Sequence, residues 1–423
     1  MNHFEFRNGE LFAEDVAISK IAQEVGTPFY CYSTATLEHH YKTLANALDN
    51  AGIAPKALLC FSVKANSNLA VLSTLAACGA GADIVSGGEL KRALKAGIPA
   101  QRIVFSGVGK TRKEMQQALE AGIVQFNVES LSELHELSQT AEALDMIAPV
   151  AFRVNPDIDA GTHEKISTGK AEDKFGVAWD DVEHAYKLAA ELPNIEVVGI
   201  DIHIGSQITS LLPFRKAFEK VAGLLARLKE LGHNIRNLDL GGGLGVPYQS
   251  DNDKPPSPQE YAQLIGEIFG ASGCQIILEP GRMIAGNAGI IVTSVIREKR
   301  GQVKNFLIVD ASMTELMRPT LYGAFHEIHP TAQTDNESAL WDVVGPVCES
   351  GDFIGKDREL PTLKAGDLLA IFTSGAYAAV QGSTYNTRPL APEVLVRDGS
   401  YFVARARPTV EELLARETIP DWS

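Results

Sequence analysis

The sequence predicts an α/β protein that combines a (β/α)8, TIM-like barrel with a second, β-rich domain. The chain has 423 residues, and a single hydrophobic core stops growing beyond about 250–300 residues. From about residue 28, short apolar runs alternate with helical stretches, as in a parallel sheet covered by helices. After residue 283 the helical rhythm fades and strand-like runs dominate. Two domains are therefore expected.

Eight apolar or β-branched runs precede residue 282, and each ends in small or polar residues. They span roughly 220 residues, which suits a barrel whose usual length begins at about 200 residues. A doubly wound open sheet is the alternative for the same alternation. The runs are 58–63, 82–85, 103–105, 124–128, 150–154, 197–204, 235–240 and 276–278.

Helix starts are predicted where a serine or threonine is followed three positions later by glutamate, because the two side chains satisfy amide groups at a helix start. The pairs are Ser86 with Glu89, Ser130 with Glu133, and Thr409 with Glu412. A single helical face is predicted for Phe214, Phe218, Val221, Leu225 and Leu228. That helix should end near Gly232.

The β-rich domain is predicted from hairpin signals at both ends of the chain. Asn8-Gly9 lies inside 4–12, and Asp398-Gly399 lies inside 393–405; both dipeptides favour tight hairpin turns. Further strands are predicted at 290–296, 306–309, 340–344 and 368–372. The expected division is a barrel over 27–281 and a β-rich domain over 1–26 and 282–423.

Composition and charge exclude several classes of protein. Lysine and arginine number 38 against 53 acidic residues, a net charge of −15, which disfavours a general grip on nucleic acid or anionic membranes. No apolar run approaches the ~20 residues of a membrane helix, and the first ten residues lack a signal pattern. Five cysteines without a C-x-x-C motif predict reduced thiols and no metal site. A cytoplasmic protein is expected.

The residues that follow the predicted strands carry the chemistry, because barrel active sites lie at the carboxyl ends of the strands. Lys64 follows the first run, and a desolvated lysine there suits Schiff-base chemistry. His203 lies at the end of the sixth run, and glycines 241–243, whose amides can approach an anion, follow the seventh. Glu279-Pro280-Gly281-Arg282 follows the eighth. Each feature alone has a plain interpretation: a solvated lysine, a structural histidine, a tight turn and an ion pair.

Together these residues fit pyridoxal 5'-phosphate, a flat, phosphorylated carbonyl compound with a ring nitrogen. Lys64 would bond to its aldehyde, His203 would stack on the ring, and the glycine loop would hold the phosphate. Glu279 would keep the ring nitrogen protonated. A carboxylate at that nitrogen favours decarboxylation, whereas an amino-acid racemase would do better with a weaker partner.

Eight ordered motifs carry a resemblance that runs from Thr27 to the end of the chain. They are SVKANSN (62–68), GADIVSGGEL (81–90), HIGSQI (203–208), GGGLG (241–245), EPGR (279–282), RPTLYGAFHEI (318–328), GPVCESGD (345–352) and SGAY (374–377). On these motifs the chain resembles the fold-type III pyridoxal phosphate-dependent decarboxylases. Within them it is similar to the branch that converts meso-2,6-diaminopimelate to L-lysine and carbon dioxide, the last step of lysine biosynthesis.

The resemblance implies a head-to-tail homodimer whose active sites are shared between subunits, with a β-rich domain built partly from the amino-terminal strands. It implies three catalytic residues, namely Lys64 as the Schiff-base lysine, His203, and Cys348 as the proton donor to the carbanion. The implied cofactor contacts are Lys64, Asp83, His203, Ser206, Gly241, Gly242, Gly243, Glu279, Gly281, Arg282 and Tyr377. The implied substrate contacts are Arg282, Arg318, Tyr322, Glu349 and Tyr377, with Cys348 and Glu349 coming from the neighbouring subunit.

Other functions remain open at this point. The same fold would serve a polyamine-pathway decarboxylase acting on carboxynorspermidine, ornithine or arginine, or a non-catalytic regulatory homologue. Arg318 and Glu349 favour diaminopimelate, because its far end carries a carboxylate for a guanidinium and an ammonium for a carboxylate. Taken singly, both residues would pass for surface charges.

Overall fold

A computed structural model describes residues 2–53, 57–159, 169, 173–249 and 254–422 of the chain. It forms two compact units. The β unit comprises Met1–Leu37, Tyr248–Asn252 and Ala285–Ser423, and the barrel unit comprises Glu38–Pro247 and Asp253–Ile284.

The elements are numbered in chain order. The strands are β1 Phe4–Arg7, β2 Glu10–Ala13, β3 Val16–Ala17, β4 Phe29–Ser33, β5 Leu58–Ser62, β6 Gly81–Ile84, β7 Ile103–Phe105, β8 Gln125–Val128, β9 Ala148–Asn155, β10 Val177–Ala178, β11 Ile195–Asp201, β12 Asn237–Asp239, β13 Gln275–Leu278, β14 Gly289–Arg300, β15 Asn305–Val309, β16 Ile328–Pro330, β17 Ser338–Val344, β18 Phe353–Pro361, β19 Leu368–Ile371, β20 Glu393–Arg397 and β21 Ser400–Arg405. The helices are α1 Ile18–Val25, α2 Thr34–Asn50, α3 Leu69–Ala77, α4 Gly87–Lys95, α5 Arg112–Ala121, α6 Leu131–Ala143, α7 Val182–Glu191, α8 Leu211–Glu230, α9 Pro258–Phe269, α10 Arg282–Ala285, α11 Arg318–Tyr322 and α12 Val410–Leu414.

The barrel unit is built on eight parallel strands, β5 to β9 and β11 to β13. β13 pairs with β5 and β8 pairs with β9, so the sheet closes on itself. The short strand β10 adds to β9. The predicted barrel is confirmed, each predicted run overlaps one of the eight strands, and the open-sheet alternative is wrong.

Hydroxyl caps begin the helices where the sequence predicts them. Ser86, Ser130 and Thr409 each accept the amide N–H of the glutamate three residues on. At Ser86 the reciprocal bond is displaced by one residue, because the Glu89 carboxylate accepts the N–H of Val85 instead, at 2.8 Å. The predicted apolar face of α8 is buried.

The described residues of the β unit form two sheets. β1, β2 and β3 form the smaller one, and the larger runs β18-β17-β15-β14-β4-β20-β21, with β19 pairing with both β14 and β16. Both predicted hairpins are present, and Asn8 and Asp398 adopt the left-handed backbone that their turns require, with φ of 51° and 50°. β4, which follows residue 27, pairs with β14 and β20 and therefore lies in the β unit.

None of the helices in the described ranges combines the length and the apolar character that crossing a membrane requires.

Candidate active site

Lys64 and Asp83 form an ion pair where the first two barrel strands end. Lys64 lies in a short 3-10 turn after β5, and its Nζ donates to Oδ2 of Asp83 at 2.6 Å. Ser62 donates to the same oxygen at 2.8 Å. The Asp83 side chain is 0% exposed and that of Lys64 35% exposed. The lysine thus has a buried anionic partner in place of the apolar surroundings that the sequence predicts.

His203 lies just beyond the end of β11 and is held by the glycine turn that follows β12. The N–H of Gly242 donates to Nδ1 of His203 at 3.2 Å. Burial lowers the pKa of His203 well below its ordinary value, and the charges of Arg153 and Lys64 lower it further. The imidazole is therefore neutral, with its proton on Nε2, and presents a flat uncharged ring.

The glycine turn at 241–243 leaves no room for side chains. Gly241 and Gly243 have φ of 66° and 106°, a region that favours glycine. A Cβ at Gly242 would lie 2.3 Å from the carbonyl oxygen of Glu279. In the same barrel unit, Nη2 of Arg282 donates to Oγ of Ser206 at 3.2 Å. The unit thus combines a turn without side chains, a guanidinium and a hydroxyl, a combination that suits a phosphate.

A cluster of buried carboxylates lies inside the barrel. Ligand oxygens of Asp201, Asp239 and Glu279 all lie within 4.8 Å of one another. Burial raises the pKa of all three well above ordinary values, and the charges of neighbouring carboxylates raise them further. Like charges so close in a low dielectric do not all ionise at neutral pH. The sequence predicts Glu279 as a site residue but misses Asp201 and Asp239, whose signal is that they are the last residues of β11 and β12.

Arg318 is held rigidly at the first position of α11 in the β unit. Its Nη1 donates to Nε2 of His326 at 2.8 Å, and Nδ1 of His326 donates to the carbonyl oxygen of Phe372 at 2.8 Å. The guanidinium carbon lies 4.6 Å from the centre of the Tyr248 ring. Arg318 is 6% exposed. His326 and Tyr248 are missed by the sequence analysis, although His326 lies within the RPTLYGAFHEI motif.

Cys348 and Glu349 are exposed on the loop between β17 and β18. Asp352 organises this loop by accepting the N–H groups of Met313 and Val347, each at 2.7 Å. The N–H of Cys348 donates to Oδ1 of Asn386 at 3.2 Å. The backbone of the loop is therefore fixed while its two predicted functional side chains face outward.

Tyr322 and Tyr377 are half-buried in the β unit. Tyr322 ends α11, which is followed by Gly323 in a left-handed conformation. Tyr377 itself has φ of 57°, which a bulky residue adopts only where its surroundings impose it, and such positions cluster at functional sites.

The structure thus distributes the predicted residues over the two units. The barrel unit contains Lys64, Asp83, His203, Ser206, Gly241, Gly242, Gly243, Glu279, Gly281 and Arg282, and the β unit contains Arg318, Tyr322, Cys348, Glu349 and Tyr377. Direct contacts join Lys64 to Asp83, His203 to Gly242, and Ser206 to Arg282. The functional roles assigned to these residues stay predictions.

Glu89 gives the barrel unit a pH-dependent stability that replacement by glutamine should remove. Burial raises the pKa of Glu89 to about 7, and the charge of Asp83 adds to this effect. Between about pH 4.5 and pH 7 the folded chain keeps a proton that the unfolded chain releases, so the free energy of unfolding falls as pH rises. Glu89→Gln should therefore gain stability over the wild type from about pH 5 to pH 8, by on the order of 2 kcal/mol after allowance for partial exposure.

Thermal unfolding of both proteins across this pH range measures the effect. Glutamine can still accept the N–H of Val85, so the cap of α4 should survive the replacement. Parallel curves of unfolding temperature against pH for the two proteins would contradict the assignment.

Comparison with known proteins identifies the family of this chain. Residues 15–286 match the family model described as "Pyridoxal-dependent decarboxylase, pyridoxal binding domain". The chain is 50% identical to a diaminopimelate decarboxylase of Pseudomonas aeruginosa over 99% of both chains.

Solved structures agree with this match. The diaminopimelate decarboxylase of Helicobacter pylori, complexed with L-lysine, superposes with a TM-score of 0.90 at 42% identity, covering 94% of this chain and 98% of that chain. The enzyme from M. jannaschii, in co-complex with L-lysine, superposes with a TM-score of 0.95 at 36% identity over 99% and 98% of the two chains. The resemblance predicted from the motifs is confirmed, and this chain belongs to the diaminopimelate decarboxylase family of pyridoxal-dependent decarboxylases.

Proposed function

We propose that the chain decarboxylates meso-2,6-diaminopimelate to L-lysine and carbon dioxide, the last step of lysine biosynthesis, with pyridoxal 5'-phosphate as cofactor. The observation that carries the proposal is the 50% identity to a diaminopimelate decarboxylase over 99% of both chains. A match over the full length covers both the residues proposed for the cofactor and those proposed for the substrate.

The residues of the barrel unit fit the cofactor. Lys64 offers an amine for its aldehyde, and the neutral His203 offers a flat ring to stack on. The glycine turn, with no side chain to fill the space, leaves room for the phosphate, and Ser206 and Arg282 offer it a hydroxyl and a guanidinium. Glu279 offers a carboxylate for the ring nitrogen. When bound, the cofactor supplies an electron sink for the bond broken at the substrate α carbon.

The residues of the β unit fit the far end of the substrate. Arg318 is a buried guanidinium held by His326 and Tyr248, which suits a carboxylate that must be bound in one position. Glu349 offers a carboxylate for the distal ammonium. Arg282, Tyr322 and Tyr377 complete the proposed substrate contacts.

We also propose a head-to-tail homodimer in which Cys348 and Glu349 complete the site of the neighbouring subunit. The exposure of both side chains on a fixed loop supports this. In this arrangement the barrel unit holds the cofactor, and the β unit, which includes β4, contributes substrate recognition and dimer contacts. The five cysteines are all free thiols, which suits a cytoplasmic enzyme.

An assay of the purified holoenzyme with meso-diaminopimelate tests the proposal. We expect release of carbon dioxide and L-lysine, with little turnover of ornithine, arginine or carboxynorspermidine. Preference for one of these three would instead indicate a polyamine-pathway enzyme. Failure of borohydride to fix the cofactor on the Lys64 peptide would indicate the non-catalytic homologue, and inversion at the α carbon without carbon dioxide would indicate a racemase.

Replacing Arg318 with methionine should raise KM for diaminopimelate about 10- to 150-fold, because a charge-assisted contact worth about 1.5–3 kcal/mol is lost. Steady-state kinetics measures this. Arg358→Met is a matched control, since the Arg358 guanidinium also lies on an aromatic ring, at 3.7 Å from the centre of Phe325, but belongs to no proposed site. An unchanged KM in the Arg318 variant, or an equal rise in the control, would contradict the role of Arg318.

A further inference from the structure

Three side-chain amides form a hydrogen-bonded chain inside the barrel. Nδ2 of Asn237 donates to Oε1 of Gln125 at 2.8 Å, and Nε2 of Gln125 donates to Oδ1 of Asn127 at 2.8 Å. Nδ2 of Asn127 then lies 3.1 Å from Oδ2 of Asp239 and 3.3 Å from Oε1 of Glu279. We call Asn237, Gln125 and Asn127 the amide relay.

The hydrogen bonds of the amide relay all run in the same direction. Gln125 and Asn127 each accept with their oxygen from the preceding amide and donate with their nitrogen to the following group. Reversing the Asn127 amide would place its NH2 against that of Gln125 and its oxygen against two carboxylates. Chains of this kind polarise along their length and strengthen each bond. The relay therefore delivers its final N–H groups to the carboxylate cluster in a fixed orientation.

Two strands of the barrel make this possible. Gln125 and Asn127 alternate on β8, and Asn237 and Asp239 alternate on β12, so each pair shares one face of its strand. Gln125 and Asn127 are both 0% exposed, whereas Asn237 is half-buried at the start of β12. Barrel interiors are normally filled by valine, isoleucine and leucine. A polar chain in this position is stable only because its members satisfy one another.

Hydrogen-bond donors favour the charged form of two of the three buried carboxylates. Oε1 of Glu279 accepts from Oγ of Ser106 at 3.0 Å as well as from Asn127. Asn127 also donates to Oγ of Ser106 at 3.1 Å, so the two donors support each other. Within the described residues, Oδ1 of Asp201 has no hydrogen-bond partner. Asp239 likewise accepts from Asn127 and, through Oδ1, from the N–H of Gly241 at 3.1 Å. Donors at Glu279 and Asp239 favour their anions, so the proton of the cluster is left to Asp201.

We propose that Asn127, held by Gln125 and Asn237, is a positioning residue that keeps the Glu279 carboxylate ionised and aligned for the ring nitrogen of the cofactor. This rests on the proposed function, which assigns Glu279 to that nitrogen. The relay extends the site from the strand ends into the body of the barrel. Asn127 would thus act on the ring nitrogen of the cofactor through Glu279, without contacting cofactor or substrate itself.

The Gln125→Met variant tests the proposal most directly. Methionine has a similar size and cannot continue the chain, and Gln125 is separated from Glu279 by Asn127, so any effect must pass through Asn127. The holoenzyme is prepared with cofactor labelled with 15N in the ring, and its nitrogen resonance reports protonation. We expect the resonance to move from the pyridinium position toward neutral pyridine. We expect kcat to fall about tenfold if the pKa of the ring nitrogen drops by about one. KM for diaminopimelate should be unchanged.

Two further variants keep the test decisive. Asn237→Ala changes the half-buried end of the relay, where a folded protein is easiest to obtain, and should move the resonance in the same direction. Asn194→Ala is the matched control, because within the described residues Nδ2 of Asn194 donates to the carbonyl oxygen of Met146, at 3.1 Å, and not to the amide relay. It should lower the unfolding temperature and leave the resonance in place.

Folded Gln125 and Asn237 variants with the wild-type resonance and kcat would overturn the relay. An equal shift in the Asn194 control would also overturn it, since the effect would then be general loosening. If the wild-type protein bound no labelled cofactor or released no carbon dioxide, the proposed function itself would fall. If the wild type were active with a protonated ring nitrogen, and the relay variants had the same resonance and kcat, only the proposed role of the relay would be overturned.

Discussion

Lys64→Ala should abolish decarboxylation and the visible absorption of the bound cofactor. The amine of Lys64 is the proposed point of covalent attachment, and it lies at the end of the first barrel strand beside Asp83. Without it the cofactor would bind only through its phosphate and ring contacts, and activity should fall at least about 10⁴-fold, as for other covalent-catalysis residues. Absorption spectra, borohydride reduction and turnover of diaminopimelate measure the loss.

Lys64→Arg separates the covalent role from the ion pair. Arginine keeps a cation beside the buried Asp83 carboxylate, so the stability of the barrel should be better preserved than in the alanine variant. Its guanidinium cannot replace the amine in Schiff-base formation, so activity should be lost in both variants. Turnover by the arginine variant, or cofactor fixed by borohydride in the alanine variant, would contradict the assignment.

Cys348→Ala should retain the cofactor absorption but lose about 10²–10⁴-fold in kcat, the range expected when a general acid is removed. Its side chain is exposed, and the bond from its N–H to Asn386 involves only backbone at this position, so the loop should keep its conformation. Cys348→Ser should retain part of the activity. Cys78→Ala, at a half-buried cysteine outside the proposed site, should behave as wild type.

Mixing the two inactive proteins tests whether sites are shared between subunits. In a mixed dimer of Lys64→Ala and Cys348→Ala chains, one of the two sites would receive an intact lysine from one chain and an intact cysteine from the other. Random exchange in a two-fold dimer should restore about a quarter of the wild-type activity. No recovery after verified exchange would place both residues in a site of one chain.

The barrel was predictable because each of its buried parallel strands is a short apolar run that stands out between helical stretches. The β unit was less predictable, because its strands depend on partners far away in the chain. β4 lies next to a barrel-like alternation in sequence, yet its hydrogen bonds go to β14 and β20. β18 carries Lys356, Asp357 and Arg358 in its middle, which hides it from any search for apolar runs.

The candidate site, too, could be predicted only in part from the sequence. Lys64, His203 and Glu279 could be proposed as site residues because a barrel places its chemistry at its strand ends. Gln125 and Asn127 lie on β8 itself, where polar residues on alternate positions resemble those of a half-exposed strand. Only the closed barrel shows that this polar face points inward. A hydrogen-bonded chain across strands has no signature in the spacing of residues along one of them.

The contact between Arg318 and His326 also constrains how substrate preference can change. The imidazole accepts from the guanidinium with Nε2 while its Nδ1–H is committed to the carbonyl oxygen of Phe372. Exchanging Arg318 for a neutral residue, as a substrate without a distal carboxylate would favour, leaves that buried Nε2 without its guanidinium donor. A redesigned or naturally diverged specificity therefore has to replace the two residues as a pair, and in related sequences they should vary together.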